Sequence, residues 1–177
     1  MTIKLLSYDV EQLQCDILLE DLVDCQLFAK QVAEHATVPL TIALSGTLGA
    51  GKTQWTRFFA IELGAQPEMI SSPTFMLVHE YNSQPPIYHL DAYRIGDEAE
   101  MLELGIEEMM DADAITIVEW ADRFPKLLPH HTLRIHLELG ESQNARHVHV
   151  QATGKRAQAI VRELGMRLKA EGIRYKV

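Results

Sequence analysis

Eight consecutive residues carry the clearest chemical signal in this chain. Gly46-Thr47-Leu48-Gly49-Ala50-Gly51-Lys52-Thr53 has the spacing G-x-x-x-x-G-K-[ST]. With glycine at roughly 7% of residues, a chance match is expected in about one such chain in a hundred or fewer. Glycines at these positions let successive N–H groups turn inward towards phosphate oxygens. A helix starting beneath them adds unpaired donors and partial positive charge. Lys52 reaches the β- and γ-phosphates in this arrangement, and the Thr53 hydroxyl ligates Mg²⁺. The backbone of Gly46, Leu48, Gly49, Ala50 and Gly51 supplies the rest of the cradle. The expected ligand is a nucleoside triphosphate with its metal.

Such a loop also needs an acidic residue at the end of a neighbouring strand. Glu119 ends the apolar run Ala114–Val118, and Asp91 ends Ile87-Tyr88-His89-Leu90. Ligands in open α/β sheets bind beyond the carboxyl ends of strands, where both carboxylates would stand. No Asn-Lys-x-Asp segment is present to read guanine, and no Asp-x-x-Gly follows the loop. Adenine is therefore the expected base, and ATP the expected nucleotide.

The elements that must position these groups can be read from periodicity. Pro39–Ser45 reads as a buried strand before the loop, and Lys52–Leu63 as an amphipathic helix after it, stopped by Gly64. A helix is expected from Asp21, capped by Asp21 or Asp24. Phe75–Tyr81 and Ile87–Asp91 read as strands joined by a turn, and Ala114–Val118 as another buried strand. Thr132–Leu139 and Arg146–Ala152 alternate apolar and polar residues, as an antiparallel hairpin with one solvated face does. Short helices are expected around Glu98–Leu104 and Ile106–Met110, and a longer one over Lys155–Ala170. The first 20 residues resist assignment beyond a short strand at Ile3–Leu6. Together these predict an α/β fold: a central mixed sheet of the P-loop NTPase type with flanking helices and an added antiparallel hairpin.

Composition fits one domain of 177 residues and 20.0 kDa, with 47% hydrophobic and 23% charged residues. The unassigned residues 1–20 would be an N-terminal extension of it. Net charge is −9, which argues against a protein that binds nucleic acid by coating phosphates. The charge is uneven, however. Residues 155–177, the expected basic C-terminal helix, hold seven basic and two acidic residues. They are either a solvated helix face or the place where tRNA or an acidic partner is met. No apolar run is long enough for a membrane span, and the first residues lack a signal peptide's apolar region. Cys15 and Cys25 form no CxxC motif and read as small buried hydrophobes in helix-like context. A cytoplasmic protein is the expectation.

Several further residues have two readings. Pro73 biases Ser72 away from helix, which would present the Thr74 hydroxyl from a loop. Such a hydroxyl near a γ-phosphate is how switch segments are ordered by a triphosphate; the plain alternative is a Ser-Pro turn. Arg94 suits an ion pair as well as a phosphate. Trp120 can stack on a base, but packing is the better reading without further knowledge. His89 reads as a satisfied buried histidine. His130-His131 and the alternating His147 and His149 read as loop and strand-face residues rather than a zinc site, since no spacing joins them to other ligands.

Taken together, Gly46–Thr53, Ser72-Pro73-Thr74-Phe75, His89-Leu90-Asp91-Ala92-Tyr93-Arg94, Glu103-Leu104-Gly105 and Glu119-Trp120 resemble the TsaE family. This is the ATPase component of bacterial tRNA threonylcarbamoyladenosine synthesis. The resemblance covers roughly residues 21–152. It implies ATP and Mg²⁺ binding, weak hydrolysis alone, and work with a heterodimer of two sugar-kinase-like proteins. One of these transfers the threonylcarbamoyl group to an adenosine next to the anticodon, so tRNA is met indirectly or weakly. Carried over by motif, Lys52 holds phosphates, Thr53 and Glu119 ligate Mg²⁺, Asp91 is needed for hydrolysis, Thr74 lies in a switch-like segment, and Trp120 lies beside the nucleotide. Thr47 departs from the family's usual Asp, Leu90 from its usual aromatic and Ala92 from its usual leucine. A small-molecule P-loop kinase is the alternative, and a nucleotide-sensing module without useful catalysis is a third. The kinase reading is weakened because Arg123 is the only arginine between Ile95 and Pro129, where an arginine-bearing lid is expected.

Overall fold

Runs of β-branched and aliphatic residues buried on both faces make the centre of the sheet, and alternating runs make its flanks. The computed structural model describes residues 3–71, 73 and 76–170. In chain order the strands are β1 (Lys4–Asp9), β2 (Gln14–Leu19), β3 (Leu40–Gly46), β4 (Val78–Tyr81), β5 (Ile87–Asp91), β6 (Ile115–Glu119), β7 (Thr132–Leu139) and β8 (Arg146–Ala152). They form one sheet in the order β1-β2-β8-β7-β3-β6-β5-β4. β7, β3, β6 and β5 run parallel, and the outer pairs are antiparallel. The fold is thus the expected mixed α/β sheet with an added hairpin.

The helices are α1 (Leu22–Ala33), α2 (Lys52–Glu62), α3 (Glu98–Glu103), α4 (Ile106–Asp111) and α5 (Lys155–Ala170). Asp21 caps α1, its side chain accepting from the N–H groups of Val23 and Asp24. Asp97 caps α3 through the Glu100 N–H. The larger core lies under α1, α2 and α5 and includes Phe28, Trp55, Phe59, Ile117, Val150 and Leu164. A smaller cluster on the opposite face packs Leu90 and Val118 against Ile95, Met101, Ile106 and Phe124.

The first 20 residues are part of the sheet. β1 and β2 make a hairpin whose second strand pairs with β8. Leu6 is an extra residue on β1, because Leu5 faces Ile17 and Ser7 faces Asp16. This is a β-bulge on an edge strand. Cys15 therefore does not sit in a helix. It is buried on the core face of β2 among alternating residues, while Cys25 lies in α1 as expected. Burial pushes both thiols up to about 12. A second correction concerns β4. It begins at Val78, after Met76 and Leu77, because Leu77 adopts a left-handed conformation (φ 64°) that interrupts an extended chain; Phe75 lies outside the described residues.

β7 and β8 bury alternate residues, leaving His136, His147 and His149 on the uncovered face. There His149 Nδ1 pairs with Asp16 at 2.7 Å and His136 Nδ1 with the Ser45 hydroxyl at 2.8 Å. α5 buries Ala157, Ile160, Val161, Leu164 and Leu168 and exposes Arg162, Arg167 and Lys169. Arg167 pairs with Glu34 at 2.9 Å. Among the described residues, no helix is long and apolar enough to cross a membrane.

Candidate active site

Parallel pairing brings the critical strand ends together. Asp91 is the register partner of Glu119, and Glu119 also faces Leu44 at the end of β3. The glycine-rich loop leaves β3 directly beyond that point. Gly46 is required there because a Cβ would lie 2.0 Å from the Leu137 carbonyl oxygen of β7, and its φ is +126°. Gly51 (φ 103°) turns the chain into the first residue of α2.

A cleft of about 360 Å³ opens at this end of the sheet, lined by Leu48, Gly49, Gly51, Lys52, Thr53 and Gln54 from the loop and helix. Asp91, Tyr93, Glu119 and Trp120 close its other side. Seven of the residues named from sequence thus share one cavity wall with Leu48. Two do not line it. Gly46 is packed against β7, and Ala50 is buried with its N–H bonded to the Thr47 carbonyl. Thr74 lies outside the described residues.

The Lys52 ammonium donates to the carbonyls of Gly46 (2.8 Å) and Thr47 (3.0 Å) and lies 3.6 Å from the centre of the Trp120 ring. The left-handed Trp120 (φ 60°) turns the chain sharply after β6, and its indole also leans on Tyr93 at 5.0 Å. Burial lowers the Lys52 pKa, and the carboxylates of Glu119, Asp122 and Asp91 oppose that shift without cancelling it.

Glu119 is buried and holds two partners. Its Oε2 accepts from the Thr53 hydroxyl at 3.0 Å, and its Oε1 lies 2.9 Å from His89 Nε2. His89 is fully buried, and its Nδ1 lies 2.8 Å from the Tyr81 hydroxyl, which also reaches the Ser71 carbonyl at 3.1 Å. His89 is therefore the satisfied buried histidine expected from sequence. Burial, with the nearby Glu119 charge, pushes the Tyr81 phenol up to about 12, so it stays a donor near neutral pH. Asp91 accepts from the Tyr93 N–H at 3.0 Å.

Three contributors were not named as site residues from sequence, although Tyr93 lies within the His89–Arg94 segment. Tyr81 and Tyr93 enter through the sheet register and the turn after β5. Arg146 binds the outer side of the loop, Nε to the Ala50 carbonyl at 2.8 Å and Nη2 to the Gly49 carbonyl at 3.3 Å. One signal for it exists: Arg146 shares its strand parity with the core residues Val148, Val150 and Ala152.

The family model described as threonylcarbamoyl adenosine biosynthesis protein TsaE matches residues 19–148. The chain belongs to the TsaE family. The TsaE match begins at the last residue of β2 and ends within β8, so it contains the whole cleft. A tRNA threonylcarbamoyladenosine biosynthesis protein TsaE from Bacillus subtilis is 35% identical over 142 residues, which span 80% of this chain and 87% of that protein. The Haemophilus influenzae TsaE protein is 35% identical over 117 residues, spanning 63% and 73% of the two chains. The crystal structure of Bacillus subtilis YdiB superposes with a TM-score of 0.71 at 28% identity and covers 87% of this chain and 95% of its own.

Proposed function

We propose that this TsaE-family chain is an ATP-binding, Mg²⁺-dependent P-loop ATPase that supports threonylcarbamoyladenosine formation in tRNA. The observation that carries the reading is the convergence of Lys52, Thr53, Asp91 and Glu119 on one cleft at the carboxyl ends of parallel strands. Membership in a family named for this modification supplies the pathway.

The donor set suits a hard cation. Thr53 and Glu119 offer oxygen ligands, with the Asp91 carboxylate alongside. Thr53 and Glu119 would hold Mg²⁺. When bound, the ion would neutralise phosphate charge and polarise the γ-phosphoryl group.

The chain's own residues do the rest. The loop amides and the start of α2 bind the phosphates. Lys52 moves from its carbonyl partners to phosphate oxygens and balances their charge. Asp91 orients the attacking water. Trp120 and Tyr93 wall the cleft beside Lys52, Asp91 and Glu119. Thr74 belongs to the segment that senses the γ-phosphate. The reaction consumes ATP in support of a transferase pair, the two sugar-kinase-like proteins, and tRNA is reached through them.

The one arginine available to a kinase lid between Ile95 and Pro129 is engaged elsewhere. Arg123 donates to the carbonyls of Ala92 and Tyr93, where it braces the turn after β5.

ATP hydrolysis measured alone and with the transferase pair tests the proposal. Feeble turnover alone, stimulation by the pair, and loss of both in Lys52→Ala with an unchanged circular dichroism spectrum are expected. Fast turnover alone that ignores the pair would sink it.

A further inference from the structure

The buried pair His89 and Tyr81 is not used by the chemistry above, yet it touches Glu119. We infer that His89 is a positioning residue that fixes the rotamer of Glu119, and that Tyr81 fixes His89. The inference rests on the reading of Glu119 as a magnesium ligand and deepens it.

The geometry is directional. An ionised carboxylate only accepts hydrogen bonds, so the 2.9 Å contact requires the proton on His89 Nε2. The other ring nitrogen, Nδ1, lies 2.8 Å from the Tyr81 hydroxyl. That hydroxyl donates to the Ser71 carbonyl at 3.1 Å, which holds the phenol in place against the ring. His89, Tyr81 and Glu119 are all nearly inaccessible to solvent. Water therefore offers no substitute for any of these bonds.

The consequence falls on one oxygen. With Oε1 held by His89, Oε2 faces Thr53. Without His89, a carboxylate on three rotatable bonds can turn away from the hydroxyl that would share its metal. Outer partners of metal ligands typically matter by about 10–100-fold in metal affinity. Strand register explains the placement. His89 and Asp91 are alternate residues on one face of β5, and Asp91 is already paired in register with Glu119.

Two near-isosteric variants separate positioning from packing. The amide of His89→Gln can stand near Nε2 and still donate to Glu119. The amide of His89→Asn stands near Nδ1 and cannot. Binding of a fluorescent ATP analogue is measured in chelator and then against rising Mg²⁺, with circular dichroism to confirm folding. His89→Asn is expected to raise the half-saturating Mg²⁺ at least about tenfold while leaving metal-free affinity unchanged. His89→Gln should stay close to wild type. Tyr81→Phe keeps the ring and loses one oxygen, and should raise the requirement several-fold.

Wild-type half-saturation in His89→Asn, or equal shifts in the two His89 variants, would overturn the positioning role alone. Should His89→Asn fail to fold, an unshifted Tyr81→Phe would do the same. A wild-type chain whose nucleotide binding ignored Mg²⁺ would overturn the parent reading, and the positioning role with it.

Discussion

Burial draws the Lys52 ammonium below the ordinary lysine range, and three nearby carboxylates only partly restore it. A lysine that balances phosphate charge must be protonated. Above its lowered pKa, nucleotide binding has to take up a proton, so affinity falls as pH rises through that value. An ordinary lysine would titrate only near about 10.4. Fluorescent-nucleotide titrations from neutral to alkaline pH should show this decline in wild type. Lys52→Arg, charged throughout, should bind more weakly but with a flat profile. A decline common to both proteins would assign it to another group. At this scale the sequence was informative where residues are contiguous. Gly46–Thr53 carries its geometry in its own spacing, and Glu119 and Asp91 announce themselves as carboxylates ending apolar runs. Tyr81 was opaque, and Arg146 was marked only by its strand parity, because their roles depend on which strands become neighbours. Nothing near either residue in the chain encodes the order β2-β8-β7-β3-β6-β5-β4.

The unit formed by β3, the loop and α2 tolerates little change at its first glycine. Gly46→Ala would drive a Cβ to within 2.0 Å of the Leu137 carbonyl and would impose a left-handed φ on alanine. The strain and displacement should cost at least about 2 kcal/mol. Because β7 must move, nucleotide binding should be lost together with stability. Chemical denaturation of the variant would check this, and an unchanged midpoint would refute it. By contrast, Gly49→Ala meets no atom and should mainly pay for its positive φ. Most elements were legible because their apolar residues repeat with the period of helix or strand. The exceptions have physical causes. β4 starts late because Leu77 turns the backbone, and β2 was missed because the apolar run Ile17-Leu18-Leu19 hides the alternation of Cys15, Ile17 and Leu19, after a left-handed Leu13.

Across the whole molecule, the segments outside the matched region, β1 with most of β2 and α5, pack on one another. Tyr8 fits a notch at Gly165, where any Cβ would meet its ring at 2.6 Å, and Lys169 lies 4.7 Å over the same ring. The hairpin also supplies Ile3, Leu5, Ile17 and Leu19 to the main core. Each such side chain contributes about 1.5–3 kcal/mol, so together they rival the typical 5–15 kcal/mol of a whole domain. A chain lacking residues 1–20 should therefore lose its cooperative thermal transition. A sharp transition near the wild-type temperature would show that the hairpin is dispensable. The bulge at Leu6 has a different kind of consequence. β1 ends an eight-stranded sheet, and a straight outer strand is a template on which a second molecule can add its own. The extra residue breaks that template's repeat by shifting the pairing with β2 by one residue between Leu5 and Ser7. Deleting Leu6 should leave the monomer folded but make it self-associate as concentration rises, visible as growing light scattering. On that outcome, one surplus residue would set the concentration at which the protein stays a monomer.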